Sequence, residues 1–374
     1  MLKKKLLFIL NVDWFFISHR LPIALSAMEK GYEVHLACAD TGQCDSLEGL
    51  GIRVHRIKMS RSGTQLLSEI KSLWSIFSVV RNVRPDIIHG VTIKPVVYSS
   101  LISRICGVKK RVFSISGLGY VFIDESPKAK VLRQIISRLY KFGLNNANST
   151  VIFQNSTDRQ SFIDLNIVQP SSACLIRGSG VNLSEYHYTP IRADRPSVMF
   201  LARLLKDKGV IEFCEAVKSL KDRHPSVDFV LVGDLDPENP NSMSIEELTS
   251  YVNEGIVRHI GYRKDIPQVI SSSTIMVLPS YREGLPKSLI EAAACGRAVV
   301  TTDVPGCRDA IVPDVTGVLV PARNTSKLAS AIEHLLLNPE KTSELGRQGR
   351  KFAETTFSIE DVITAHFKIY ENNP

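Results

Sequence analysis

A chain of 374 residues with 44% hydrophobic and 22% charged residues is long enough for two globular cores and too apolar for a disordered protein. Its seven cysteines, Cys38, Cys44, Cys106, Cys174, Cys214, Cys295 and Cys307, include no C-x-x-C pair, which argues against a disulfide scaffold or a zinc centre and suits a reducing compartment. No apolar run approaches the length of a bilayer span, so membrane contact is expected to be peripheral.

The net charge of +8 is unevenly placed. Residues 1–190 carry 24 Lys and Arg against 13 Asp and Glu, a net +11, and residues 191–374 carry 22 against 25, a net −3. A basic half suits an anionic membrane surface or a diphosphate-linked acceptor. Nucleic acid is not expected, because the basic residues are dispersed and lack interleaved aromatics.

The opening segment MLKKKLLFILNVDW has an apolar run, Leu6–Leu10, shorter than a signal-peptide core, with Asp13 soon after, so it reads as a buried strand, Leu6–Val12. Further strands are expected at Glu33–Ala37, Arg53–Ile57, Ile87–His89, Arg111–Ile115 and Thr150–Phe153. Helical spacing lies between them, clearest at Leu66–Arg81 and Val131–Asn145. His19 precedes a helix beginning near Leu21, and His89 ends its strand. A turn-rich stretch, Ser179–Pro196, interrupts the pattern. Strands then resume at Val198–Leu201, Asp228–Val232, Ile275–Leu278, Val299–Thr301 and Val318–Val320. This alternation predicts parallel α/β layers in two domains, residues 1–185 and 186–357, followed by an amphipathic segment, 358–374.

The most informative stretch is TIMVLPSYREGLPKSLIEAAA, residues 274–294. A strand stops at Pro279, a loop follows, and Pro286 occupies a first helical position where a missing N–H is tolerated. Unpaired amides at such a helix start attract anions. Glu291, inside the helix, suits a vicinal diol such as ribose, and Glu283 lies in the loop, closer to whatever the phosphate carries. The bland alternative is two solvated carboxylates flanking a helix start. Arg203 and Lys208 flank LLKD after another strand. Cations preplaced where a leaving diphosphate gathers charge act selectively on the transition state; the alternative is a solvated basic loop.

These residues resemble the Glu-x7-Glu signature of retaining glycosyltransferases of family 4. The resemblance extends in order through FLARLLKDKGV (200–210), FVLVGD (229–234), HIGYRKDI (259–266), AVVTTDVPGCRDAI (298–311) and TGVLVPARN (316–324). It implies an α/β protein of GT-B fold, with two facing Rossmann-like domains, parallel sheets and a C-terminal helix crossing back to the first domain. It also implies that Arg203 and Lys208 meet the donor diphosphate, that Glu283 meets the donor sugar, and that Glu291 meets the ribose. Tyr262 and Arg263 would lie beside the base, and Gly284, Leu285, Lys287 and Ser288 would complete the donor site. Catalysis would rest on Glu283, Arg203 and Lys208, and domain closure would exclude water.

More locally, FFISHRLPIA (15–24), SISGLGYVF (114–122) and PGCRD (305–309) resemble a bacterial subgroup that extends undecaprenyl-diphosphate-linked glycans. That implies a uridine-diphosphate sugar donor, N-acetylgalactosamine joined α1,3 as first choice, and a cytoplasmic enzyme peripheral to the membrane. The acceptor would meet Ser18, His19, His89, Ser116, Gly117 and Gly119. Where many relatives carry a histidine near the reacting carbon, this chain has Ser116 and Gly117.

No cofactor or metal is expected. Asp234 and Asp236 form a D-x-D, but in a segment typical of metal-independent relatives, and Gly117-x-Gly119 is only a fragment of a dinucleotide fingerprint. Two rivals remain open at this point: a sugar-nucleotide epimerase on the same fold, and a non-catalytic nucleotide-binding module.

Overall fold

The computed structural model describes residues 3–59, 66–117, 127–146, 148–191 and 194–372. They form two compact units, Met1–Ser179 with Glu360–Pro374, and Gly180–Ile359.

In the first unit the chain runs through β1 (Lys5–Val12), α1 (Asp13–His19), α2 (Leu21–Glu29), β2 (Glu33–Ala39), α3 (Cys44–Gly49), β3 (Arg53–Arg56) and α4 (Leu66–Val83). It continues with β4 (Ile87–Val91), α5 (Ile93–Ile105), β5 (Lys110–Ile115), α6 (Pro127–Leu144), β6 (Ser149–Phe153), α7 (Ser156–Asp164) and β7 (Ala173–Leu175). All strand pairs are parallel, in the order β3-β2-β1-β4-β5-β6-β7. β1 holds the unbroken apolar run Leu6–Leu10 because helices cover both faces of such a sheet. The strand order reverses between β1 and β4, and in open parallel sheets ligands collect at the carboxyl ends beside that reversal.

The second unit holds β8 (Ser197–Leu201), α8 (Val210–Leu220), β9 (Asp228–Val232), α9 (Ile245–Asn253), β10 (Arg258–His259), α10 (Ile266–Ser271) and β11 (Ile275–Leu278). Then come α11 (Lys287–Ala294), β12 (Ala298–Thr302), β13 (Gly317–Val320), α12 (Thr325–Leu337) and α13 (Pro339–Thr356). The parallel order is β10-β9-β8-β11-β12-β13, with the reversal between β8 and β11. Phe200, Phe213, Met276, Ile290 and Val300 are fully buried in its core.

The last helix, α14 (Ile359–Glu371), starts in the second unit and continues as part of the first. Its Tyr370 hydroxyl lies 2.6 Å from His89 Nδ1. Beneath it Arg20 is buried and donates to Ser179 Oγ at 3.3 Å, and burial lowers its pKa to about 10.

The division falls at Ser179 and Gly180, six residues before the expected boundary. The reason is local pairing. Val181 N donates to Phe357 O at 2.8 Å and Ile359 N donates to Val181 O at 3.1 Å, which ties residues 180–185 to the second unit. The stretch after β1, to which the sequence assigned no element, is the helix α1. Its N-terminal Asp13 is buried and accepts from Thr41 N at 2.8 Å and Gln43 N at 2.9 Å, clamping the loop after β2.

Candidate functional site

In the second unit the chemistry gathers at the carboxyl ends of β8, β9 and β11. After β8 the chain makes a 3-10 turn, Lys206–Lys208, and Gly209 takes φ +78° before α8. A side chain at Gly209 would run into the Pro279 carbonyl, so this close approach requires glycine. It brings Lys208 against the loop after β11, where its ammonium pairs with the Glu283 carboxylate. Ser280 Oγ donates to the same Glu283 oxygen at 2.8 Å. Glu283 N donates to Pro305 O at 3.1 Å, and Gly306, at φ +82°, lies where any Cβ would strike the Glu283 and Gly284 carbonyls.

Arg203 lies beside this group, its guanidinium 2.5 Å from Asp236 Oδ2. Asp234 Oδ1 accepts from Tyr262 N at 3.0 Å. Both carboxylates of the D-x-D are therefore engaged by protein groups, one orienting a cation and the other fixing the loop after β10. The Tyr262 ring is exposed, and Arg263 is paired with Asp265 at 2.6 Å. Asp207 has a buried Oδ1 with no hydrogen-bond partner, and burial raises its pKa, against the pull of the neighbouring Lys208.

Helix α11 begins one residue later than expected. Pro286 is its N-cap, with ψ 121° and no side-chain cap, so the first-turn amides of Lys287 and Ser288 have no capping group. Gly284 and Leu285 lead into it, both buried. Glu291 is 5% exposed. Its Oε1 accepts from the Tyr186 hydroxyl at 2.6 Å and lies 3.0 Å from Lys287 Nζ, so the buried charge is paired.

In the first unit, Ser18 and His19 end α1, with Ser18 Oγ 2.5 Å from His19 Nδ1 and the His19 ring stacked on Phe15 at 4.0 Å. His89 differs from the expected acceptor contact. It is completely buried, with Nδ1 against Tyr370 and Nε2 2.7 Å from Ser114 Oγ, and burial holds its pKa well below the ordinary histidine value. It packs as a core residue because β4 is covered on both faces. Ser116 and Gly117 follow β5, Gly117 at φ +115°; Gly119 lies outside the described residues.

Three polar atoms at this edge are buried without a partner among the described residues: Asn11 Oδ1, Thr92 Oγ1 and Ser116 Oγ. Asn11 and Thr92 each stand two residues beyond the paired Ile9 and Gly90 of β1 and β4, at the strand-order reversal. Thr92 takes φ +73° and ψ 168° as the uncapped N-cap of α5, a region that is essentially glycine-only and costs about 1–3 kcal/mol.

Residues 188–352 match the family "Glycosyl transferases group 1", and residues 5–155 match "Glycosyl transferase 4-like". Over 335 residues the chain is 31% identical to the N,N'-diacetylbacillosaminyl-diphospho-undecaprenol alpha-1,3-N-acetylgalactosaminyltransferase of Campylobacter jejuni, covering 86% of each. The chain belongs to the family 4 glycosyltransferases. The glycosyltransferase is also 23% identical to the UDP-Gal:alpha-D-GlcNAc-diphosphoundecaprenol alpha-1,3-galactosyltransferase of Escherichia coli, covering 80% of this chain and 79% of that one. Its fold is GT-B. Anabaena HepE, solved in complex with UDP, superposes with a TM-score of 0.79 over 98% of this chain and 99% of that one at 19% identity.

Sequence reasoning on the glycosyltransferase missed Tyr186, Asp207, Asn11 and Thr92. Tyr186 lay in the turn-rich stretch that interrupts the strand and helix pattern, and its partner Glu291 is 105 residues away. Asp207 sits between two lysines with nothing to mark its burial. A β-branched residue such as Thr92 gives no warning of a positive φ.

Proposed function

We propose that the protein transfers a sugar, with retention, from a uridine-diphosphate sugar to an undecaprenyl-diphosphate-linked glycan. N-acetylgalactosamine joined α1,3 is our first choice. The observation that carries the reading is the pairing of Lys208 with Glu283 across the carboxyl ends of β8 and β11, before the uncapped start of α11, with Arg203 following the same strand β8. Two cations and free amides suit a diphosphate, and a buried carboxylate, Glu291, suits the ribose diol. The substrate choice is supported by the Campylobacter relative's name, and the uridine donor by the Escherichia coli relative's name and the HepE complex.

As the bond from the sugar carbon to the β-phosphate oxygen breaks, its electron pair stays on that oxygen, where Arg203 and Lys208 meet the growing charge. The acceptor hydroxyl oxygen bonds the same carbon from the same face and gives its proton to the leaving phosphate. Glu283 holds donor-sugar hydroxyls, and Lys208 and Ser280 keep its carboxylate in place. Arg203, Lys208 and the α11 amides supply the positive charge that a metal provides elsewhere, so the reaction is metal-independent on this reading.

In the first unit, Asn11, Thr92 and Ser116 suit the hydroxyl or phosphate oxygens of the acceptor, with His19 and Ser18 alongside. The seven cysteines are free, which suits work at the cytoplasmic face of the membrane.

Product analysis tests the proposal. Purified protein is given UDP-N-acetylgalactosamine with and without an undecaprenyl-diphosphate-linked sugar, and products are read by mass spectrometry and NMR. A new α-linked sugar on the acceptor is expected. An isomerised donor formed without acceptor would make it an epimerase, and no change across a panel of UDP-sugars and lipid-linked acceptors would leave a nucleotide-binding module.

A further inference from the structure

The proposed reaction leaves one buried carboxylate of the second unit with no substrate group to hold. Glu283 and Glu291 are assigned to the sugar and the ribose, whereas Asp236, 8% exposed, accepts from Arg203 Nη1 at 2.5 Å. Any phosphate that reaches this guanidinium shares it with that carboxylate. The planar fork has N–H donors on more than one edge, so it can hold both anions at once. Their like charges then stand close together.

Asp236 is not placed to swing away. Its N donates to Ser242 Oγ at 3.0 Å, and Asn239 N donates to Asp236 O at 2.8 Å, folding residues 236–242 into a closed turn. Lys206 N donates to Asn241 O at 2.7 Å, and Met243 N donates to Leu204 O at 2.8 Å, which fastens the turn to the segment that follows Arg203. Cation and carboxylate are thus carried by two segments bonded to each other.

What changes during the reaction is the charge of the ligand. In the sugar nucleotide one oxygen of the β-phosphate is esterified. Transfer frees that oxygen, and the proton it receives from the acceptor is lost to solvent with a pKa of about 6, as for other terminal phosphates. UDP therefore carries more negative charge than the donor from which it forms. A fixed carboxylate beside the diphosphate opposes the product more than the substrate. At an effective dielectric of about 20, like charges at such range alter binding by about tenfold or more.

We infer that Asp236 sets the discrimination between donor and product: by sharing Arg203 it lowers affinity for UDP more than for the UDP-sugar, and so favours product release. The inference rests on the reading of Arg203 as a diphosphate ligand. Neutralising Asp236 should strengthen UDP binding, the opposite of the loss expected if the carboxylate only orients the guanidinium.

Calorimetric titration of the full-length protein with UDP and with UDP-N-acetylgalactosamine tests this. In Asp236→Asn, which keeps the size and an acceptor oxygen, the Kd should fall by about tenfold for UDP and by about threefold for the UDP-sugar. Product inhibition of transfer by UDP should strengthen with it. Asp236→Ser provides the same comparison if the Asn variant does not fold. Equal or weaker UDP binding by a folded variant overturns the inference, and so does equal strengthening for the two ligands. If the native protein transfers sugar while the variants keep its ratio of the two constants, this inference alone fails; a native protein that binds neither ligand ends the transfer reading as well.

Discussion

Tyr186 and Lys287 hold the same oxygen. The phenol lies 2.6 Å from Glu291 Oε1 and the ammonium 3.0 Å from it. The carboxylate is thereby pinned from two sides, with its second oxygen left for a ligand on the proposed reading. Tyr186→Phe removes one charge-assisted hydrogen bond, of the order of 1.5–3 kcal/mol, and should weaken UDP binding by about tenfold in calorimetry. Glu291→Ala should weaken it further, whereas Glu283→Ala should spare UDP and impair use of the intact UDP-sugar. UDP binding by Tyr186→Phe equal to that of the native protein would detach Glu291 from the ribose.

Arg203→Ala and Lys208→Ala should each lower turnover by about 100- to 1,000-fold, the scale for losing one preorganised donor to a developing anion. Circular dichroism should stay native, since Arg203 is partly exposed and Lys208 stands on a turn. Undiminished turnover in a folded variant removes that residue from the mechanism.

Transfer should persist in excess chelator. Asp236 already faces Arg203 and Asp234 already holds Tyr262 N. Complete loss of activity, restored by Mg²⁺ or Mn²⁺, would make these two carboxylates metal ligands.

Thr92→Gly should have opposite effects on stability and function. Glycine relieves a backbone strain of about 1–3 kcal/mol, so the melting temperature should rise, while loss of the hydroxyl should raise KM for the acceptor by about tenfold. Thr92→Ser, which keeps the hydroxyl, should restore KM. An unchanged acceptor KM in Thr92→Gly would separate the strain from binding.

The pH dependence of stability has a definite sign. Burial lowers the His366 pKa from 6.5 to about 3 and holds His89 well below its ordinary value. Between pH 6.5 and 3 the unfolded chain therefore binds protons that the folded chain refuses, and stability falls as pH falls. Above pH 6.5 these two histidines contribute no slope. Melting curves across that range should show the loss, and His366→Gln should reduce it; a variant with the native pH profile would refute the assignment.

The sheet strands were legible because β1, β8 and β11 are buried on both faces and read as short apolar runs. β10 has only two residues, Arg258 and His259, and no apolar run to reveal it. In α1 the run Trp14-Phe15-Phe16 lacks helical alternation, since only part of it faces the core. Glu283 and Glu291 could be found from spacing because both belong to one strand-loop-helix segment. Their partners Lys208 and Tyr186 are 75 and 105 residues distant in sequence, and only tertiary packing brings them together. The burial of His89 was hidden for a related reason. The ring is sealed by Tyr370, from a helix 281 residues further along.

That last contact bears on the order in which the chain acquires its structure during synthesis. The second unit is continuous in sequence and can complete its core once Ile359 has left the ribosome. The first unit emerges earlier but is finished later, since α14, which covers His89 and Arg20, is made after the second unit. Until then a nascent first unit exposes buried polar groups and an apolar seam, so truncation that removes Tyr370 and the residues before it in α14 should yield a chain held by chaperones, with its amino-terminal half unfinished.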